Sequence, residues 1–271
     1  MVTRSILRPV LRPVTRAVSD TIRGFNPRSL FASGEQGIWL DPSDFSTLFQ
    51  DAAGTTPVTA VGQPVGLALD KSGRGNHATQ TTSASRPTLQ QDSNGMYYLS
   101  FDGTDDGMAT PSIDFTGTDK MTVWAGVRKN SDATIGIVAE LSSNAASALG
   151  AFYLIAPAGA GAATYGFNSR GTISAQSVRA GYASPHTAVL TGQGEISTDT
   201  SIVRVNGAQS SVSTDQGTGN YGNYPLYIGR RGGTTLPFNG RIYQLIIRGA
   251  ASNAGQIAAG EAWCNGKTRA Y

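Results

Sequence analysis

The sequence predicts an all-β fold of two packed antiparallel sheets, and three observations carry the prediction. Glycine fills 34 of the 271 positions, nearly twice the average usage of about 7%. Charged residues reach only 14%, against about 25% in ordinary globular chains. From Glu35 onward, short runs of alternating apolar and polar residues recur between turn signals, the pattern of half-buried strands. Glycine costs about 1 kcal/mol per helical position relative to alanine, so this composition opposes long helices and suits tight turns. The length fits a single sandwich of roughly 200–250 residues, with a core large enough to need neither disulfide nor metal.

The clearest strand is 121–128: Met121, Val123, Ala125 and Val127 share one face, and Thr122, Trp124 and Arg128 the other. Residues 202–206 repeat the pattern and end at Asn206-Gly207, a hairpin signal. Segments 226–229 and 241–248 read as central strands, the second apolar on both faces. Further strands are predicted at 37–40, 65–69, 96–101, 135–141, 151–155, 163–167, 173–178 and 187–191. One short C-terminal helix is predicted, capped by Ser252, carrying Ile257, Ala258, Glu261 and Ala262 at helical spacing, and ended by Asn265-Gly266. It covers an edge or end of one sheet. Trp39, Trp124 and Trp263 read as packing residues.

The first thirty residues differ from the rest. They hold Arg4, Arg8, Arg12, Arg16, Arg23 and Arg28 against one acid, Asp20, for a net charge of +5, while the remainder carries −2. A repeat runs through them, Leu7–Val10 (LRPV), Leu11–Val14 (LRPV) and Thr15–Val18 (TRAV). Proline every four residues forbids a continuous helix and pushes the residue before it toward extended conformations. The prediction is an extended basic arm over 1–30 and a β-sandwich over 31–271, with one helical turn available between Asp20 and Phe25. Of three readings for the arm, a solvated tail, a nucleic-acid or anionic-surface binder, and a docking segment for another protein, the regular Val and Leu between the arginines favour docking. Phosphate binding would need the arginines alone.

Composition excludes several chemistries. One cysteine, Cys264, and two histidines, His77 and His186, rule out a disulfide framework and disfavour a zinc site of histidine and cysteine ligands. No run approaches the roughly 18 apolar residues of a membrane span, and arginines interrupt the N-terminal apolar residues where a signal peptide would be continuous. The chain is expected to fold in a reducing cytoplasm and not to insert into a membrane.

Three segments in order resemble the concanavalin-A-like lectin/glucanase superfamily in its laminin-G-like branch: Asp70–His77 (DKSGRGNH), Leu99–Asp106 (LSFDGTDD), and the pair Tyr224–Gly229 (YPLYIG) and Phe238–Leu245 (FNGRIYQL). The resemblance spans about residues 36 to 265 and implies a jelly-roll sandwich. More loosely, the whole chain is similar to lectin-like proteins of tailed bacteriophages, several of which begin with an Arg/Pro/Val repeat. That likeness implies a virion structural protein, tail-associated or on the head surface, assembled in the host cytoplasm. Residues 1–25, with Arg8, Arg12 and Arg16, would dock it to other virion proteins. Arms and sandwiches of this kind favour a homo-oligomer.

Catalysis is not expected. Glucanases of the superfamily place several carboxylates in short alternation on one strand, whereas here only Glu140, Glu195 and Glu261 follow the first strand, in separate segments. No Gly-x-Ser-x-Gly elbow occurs. Asp102, Asp105 and Asp106 read either as a calcium site or, in preference, as a turn whose carboxylates bond nearby N–H groups; no other cofactor is expected. Asp70, Asn76 and His77 read as a pinned glycine loop. The loop Gly217–Tyr224 (GTGNYGNY) offers Asn220, Tyr221, Asn223 and Tyr224 for sugar recognition, aromatic faces for stacking and amides for hydroxyls. The alternatives are a stand-alone carbohydrate-binding module and a glycoside hydrolase with an irregular site.

Overall fold

The computed structural model describes residues 24–143, 147–232 and 235–271. Arg8, Arg12, Arg16 and the LRPV repeat lie outside them, as does nearly all of the turn predicted between Asp20 and Phe25. In chain order the strands are β1 (Gly37–Leu40), β2 (Leu48–Phe49), β3 (Leu67–Ala68), β4 (Ala78–Thr79), β5 (Thr88–Gln91), β6 (Tyr97–Asp102), β7 (Met108–Asp114), β8 (Lys120–Lys129), β9 (Ile137–Leu141), β10 (Phe152–Ile155), β11 (Thr164–Arg170), β12 (Ser174–Ala180), β13 (His186–Glu195), β14 (Thr200–Val205), β15 (Ala208–Val212), β16 (Asn223–Ile228) and β17 (Asn239–Arg248); the helix α1 (Ala254–Thr268) follows. They form two antiparallel sheets packed as a sandwich. One has the order β15-β14-β13-β8-β17-β6-β5, with β1 also on β17; the other runs β12-β11-β10-β9-β16-β7-β4-β3-β2. No helix among the described residues is long and apolar enough to cross a membrane.

The alternation in β8 sets the layers. Met121, Val123, Ala125 and Val127 enter the main core between the sheets with Leu245 and Ile247 of β17. Trp124 points the other way, into a second apolar layer with Val189, Ile246, Ile257 and Cys264. That layer is the floor on which α1 lies, which is why β17 is apolar on both faces. The hairpin at Asn206-Gly207 forms with φ of 50° and 79° at the two residues, the left-handed pair a two-residue turn between twisted strands requires.

Two details of α1 differ from the sequence expectation. Asn253 caps it, accepting from Gln256 N at 2.9 Å while Gln256 Oε1 accepts from Asn253 N at 3.0 Å, a reciprocal box. Ser252 is instead buried and accepts from Arg248 at 3.0 Å. The helix also runs through Asn265-Gly266, because the Asn265 side chain clasps the backbone of Tyr271 and Thr268 is buried beyond it. Gly260 sits where the helix meets Trp124: a Cβ there would lie 2.6 Å from Trp124 Nε1. Gly260→Ala is therefore expected to destabilise by about 1–3 kcal/mol through overpacking. Gly266, with nothing near its Cβ position, is expected to gain up to about 1 kcal/mol on the same change through helix propensity. Thermal melts of the two variants check the opposite signs.

Strand β7 was not predicted from sequence, because Pro111 and polar Thr110 and Ser112 break its pattern. Proline is tolerated there because β4 pairs with β7 only at Thr79 and Ala109, leaving the far end an edge on that side. Strands β2, β4, β5 and β15 are short or polar and were likewise not predicted.

The packed body also reaches further toward the N-terminus than residue 31. Asn26 Oδ1 accepts from Arg28 N at 3.0 Å and caps a 3-10 turn over Pro27–Phe31. Leu30 and Phe31 are 1% and 3% exposed within the Trp124 layer. Phe25 packs edge-on against Trp263, with ring centroids 6.3 Å apart.

Candidate functional site

The loop singled out by sequence joins β15 to β16 at one end of the sandwich. Gly217 and Gly219 take φ of 72° and 101°, a region that favours glycine. The chain is then laced to its neighbours: Thr218 N donates to Thr172 Oγ1 (3.2 Å) and Asn220 Nδ2 to Thr116 O (2.6 Å). Tyr221 N donates to Thr118 O and Gly222 N to Gly150 O, both at 2.9 Å. Four separate segments thus meet here around a depression of about 340 Å³.

The four predicted residues divide. Asn220 and Tyr224 line the depression, joined by Leu149, Thr116, Thr172 and Thr218. Asn223 is exposed on the first residue of β16, opposite Asp114, and does not line it. Tyr221 also borders the depression, but its side chain belongs to the core, which corrects its reading as a stacking surface: it is fully buried, its hydroxyl is 2.7 Å from Ser169 Oγ, and its ring meets Phe152 edge-on at 6.1 Å. Burial raises its phenol well above the usual range. The reason is long-range, since Gly194 on β13 leaves room for the hydroxyl to enter. No charged side chain lines the depression. It offers a half-buried aromatic ring, the exposed Leu149 side chain, threonine hydroxyls and one amide. Sequence reasoning missed Leu149, Thr116 and Thr172, which are far apart along the chain and carry no local signal.

The acidic turn is built for backbone bonding. Asp102 Oδ1 accepts from Thr104 N (2.7 Å) and Asp105 N (3.3 Å), Asp106 Oδ2 accepts from Asp102 N (3.0 Å), and Asp105 Oδ2 accepts from Ser85 Oγ (2.8 Å). The three carboxylates lie within 4.8 Å of one another. Burial, then the charge of Asp102 and more weakly that of Asp105, push the Asp106 carboxyl up to about 6. Asp70 is a staple: its carboxylate accepts from Trp39 N at 2.9 Å, Ser72 N at 2.8 Å and Asn76 N at 3.1 Å, while His77 Nδ1 accepts from Asp70 N at 2.9 Å. Asn76 Nδ2 adds a bond to Gly37 O at 2.7 Å. This loop fixes β1.

Each glutamate has a basic partner. Glu140 is fully buried, accepting from Arg231 Nε (2.7 Å) and Ser142 Oγ (2.6 Å). Glu261 pairs with Arg204 at 2.6 Å, and Glu195 pairs with Lys120. Each sits in its own ion pair.

No protein-family model matches the sequence, and no curated protein does. Solved structures match the fold. The receptor-binding domain of botulinum neurotoxin type G aligns with a TM-score of 0.52 at 11% identity, covering 73% of this chain and 48% of that one. The serotype D binding domain gives 0.56 at 8% identity, covering 86% and 52%. The binding domain of botulinum neurotoxin DC, solved in complex with SialylT, gives 0.53 at 9% identity, covering 73% and 48%. This chain spans about half the length of those domains. At such identity the likeness is one of architecture: the two-sheet β-sandwich is shared.

Proposed function

We propose that this chain is a display protein whose sandwich binds a neutral glycan in the depression beside Asn220 and Tyr224, and whose basic arm fixes it to a virion of a tailed bacteriophage. The observation that carries the binding reading is the lining of the depression, a half-buried ring and hydroxyl and amide groups without a formal charge. Sugars present apolar C–H faces and hydroxyls together, and an aromatic ring beside amides satisfies both with little loss of rotamer freedom. The binding domains that share the fold support the same class of activity. The virion reading rests on the Arg/Pro/Val repeat and the charge asymmetry, and a stand-alone carbohydrate-binding module is its competitor.

A glycan array probed with the full chain tests the binding half. The expected result is a signal for neutral glycans that is equal with calcium and with chelator. Tyr224→Ala is expected to weaken it about tenfold, a loss of roughly 1.4 kcal/mol, while Asn223→Ala leaves it unchanged. No signal in either condition, or equal binding by Tyr224→Ala, overturns the reading.

A further inference from the structure

The outward side of the second sheet carries a trough that is separate from the loop depression. Its floor is the start of β7, where Gly107 and Ala109 supply almost no side chain. Tyr227 on β16 is the register partner of Ala109 and forms one wall with Arg230, whose stem lies across Gly107, 2.8 Å from where a Cβ would stand. The opposite wall is Thr79, paired with Ala109, followed by Gln80 and Thr81. Arg86 holds that wall from behind by donating to Gln80 O (3.0 Å) and Thr81 O (3.2 Å), and Gln80 Nε2 donates to Gly107 O at 2.5 Å. The volume is about 230 Å³, under the roughly 300–1,000 Å³ of pockets for drug-sized ligands, which suits one ring rather than a chain of them.

The two adjacent arginines have different fates. Arg231 is bound to Glu140 at 2.7 Å and lies over the Tyr153 ring at 4.9 Å. The Nε of Arg230 is buried, and no described residue accepts a hydrogen bond from it. Arg230 is also the one charged side chain in the lining. Of the nearby carboxylates, Asp106 accepts from Asp102 N and Asp105 from Ser85, and the charge of Arg230 acts on the Asp106 carboxyl, lowering it.

We propose that the trough is a second ligand site, selective for a sugar bearing an oxyanion, either carboxylate or phosphate, with Arg230 pairing the anion and Tyr227 packing on the ring. A guanidinium matches both anions through paired N–H donors, and the pinned wall keeps the site formed before the ligand arrives. The site stands independently of the loop depression.

Calorimetry and saturation-transfer NMR on the full chain, with D-glucuronate, glucose 6-phosphate, glucose and inorganic sulfate as probes, test it. At least one of the two anionic sugars is expected to bind about tenfold or more tightly than glucose, a gain typical of a charge-assisted pair. Which of them binds identifies the anion. Arg230→Gln is expected to erase the difference and Tyr227→Ala to weaken whichever anionic sugar binds, with melting temperatures confirming that the variants fold. Tyr224→Ala should leave this binding intact, and Arg230→Gln should leave the neutral-glycan signal intact, so either site can fail alone. Equal affinity for glucose, sulfate binding as tightly as the anionic sugars, or full binding by folded Arg230→Gln overturns the proposal.

Discussion

Alanine in place of Phe31 is expected to lower the unfolding free energy by about 3–5 kcal/mol, whereas removing residues 1–24 is expected to leave the melting temperature within about 2 °C of the full chain, under about 1 kcal/mol at this size. Phe31 is 3% exposed and packs with Leu30, Trp39, Trp124 and Ile257 in the layer beneath α1. Removing its ring leaves a cavity lined by large side chains from β1, β8 and the helix, which have little freedom to collapse. The truncation ends just before Phe25, which packs against Trp263. A cut at residue 30, where the charge pattern alone places the boundary, would also remove Leu30 and the Asn26 cap, and is expected to cost several kcal/mol. Denaturant titrations of the three proteins separate these outcomes. A truncation at 24 as damaging as Phe31→Ala would contradict the division.

Arg231→Ala is expected to cost about 3–5 kcal/mol, because it leaves the Glu140 carboxylate buried without its cation. Glu140 is fully enclosed, and Arg231 supplies its one ion pair among the described residues. Replacing both, with Glu140→Leu and Arg231→Met together, is expected to recover most of that loss, since an apolar pair carries no desolvation penalty. A double-mutant cycle by urea unfolding reads the coupling, expected at 2 kcal/mol or more. A coupling near zero would show that the pair is structurally incidental.

The sandwich was legible because its central strands carry strong local patterns. Met121 to Arg128 alternates so cleanly that the inner face and the Trp124 face both follow from the sequence, and Asn206-Gly207 marks its hairpin unaided. The edges of the second sheet were not legible, since Thr79 and Ala109 pair through contacts no local window contains, and Pro111 argues against a strand until the sheet order shows where its edge lies. The candidate site was half legible. Composition brought out the loop with Asn220 and Tyr224, but Tyr221 looks the same as Tyr224 in sequence. Only the glycine at position 194 and the hydroxyl of Ser169, both distant in the chain, send it inward. Leu149 and Thr172 join the depression through folding alone. The trough depends on the small residues Gly107 and Ala109, and on Arg230, which stands beside Arg231 but outside its ion pair with Glu140. Neither can be read from residue types.

The most direct test compares purified particles assembled with either the whole chain or residues 25–271. The account predicts that the shortened protein folds with an unchanged melting curve and unchanged sugar binding, yet is missing from the particles, while the whole chain is found in them. Particles carrying both forms in equal amounts would contradict it.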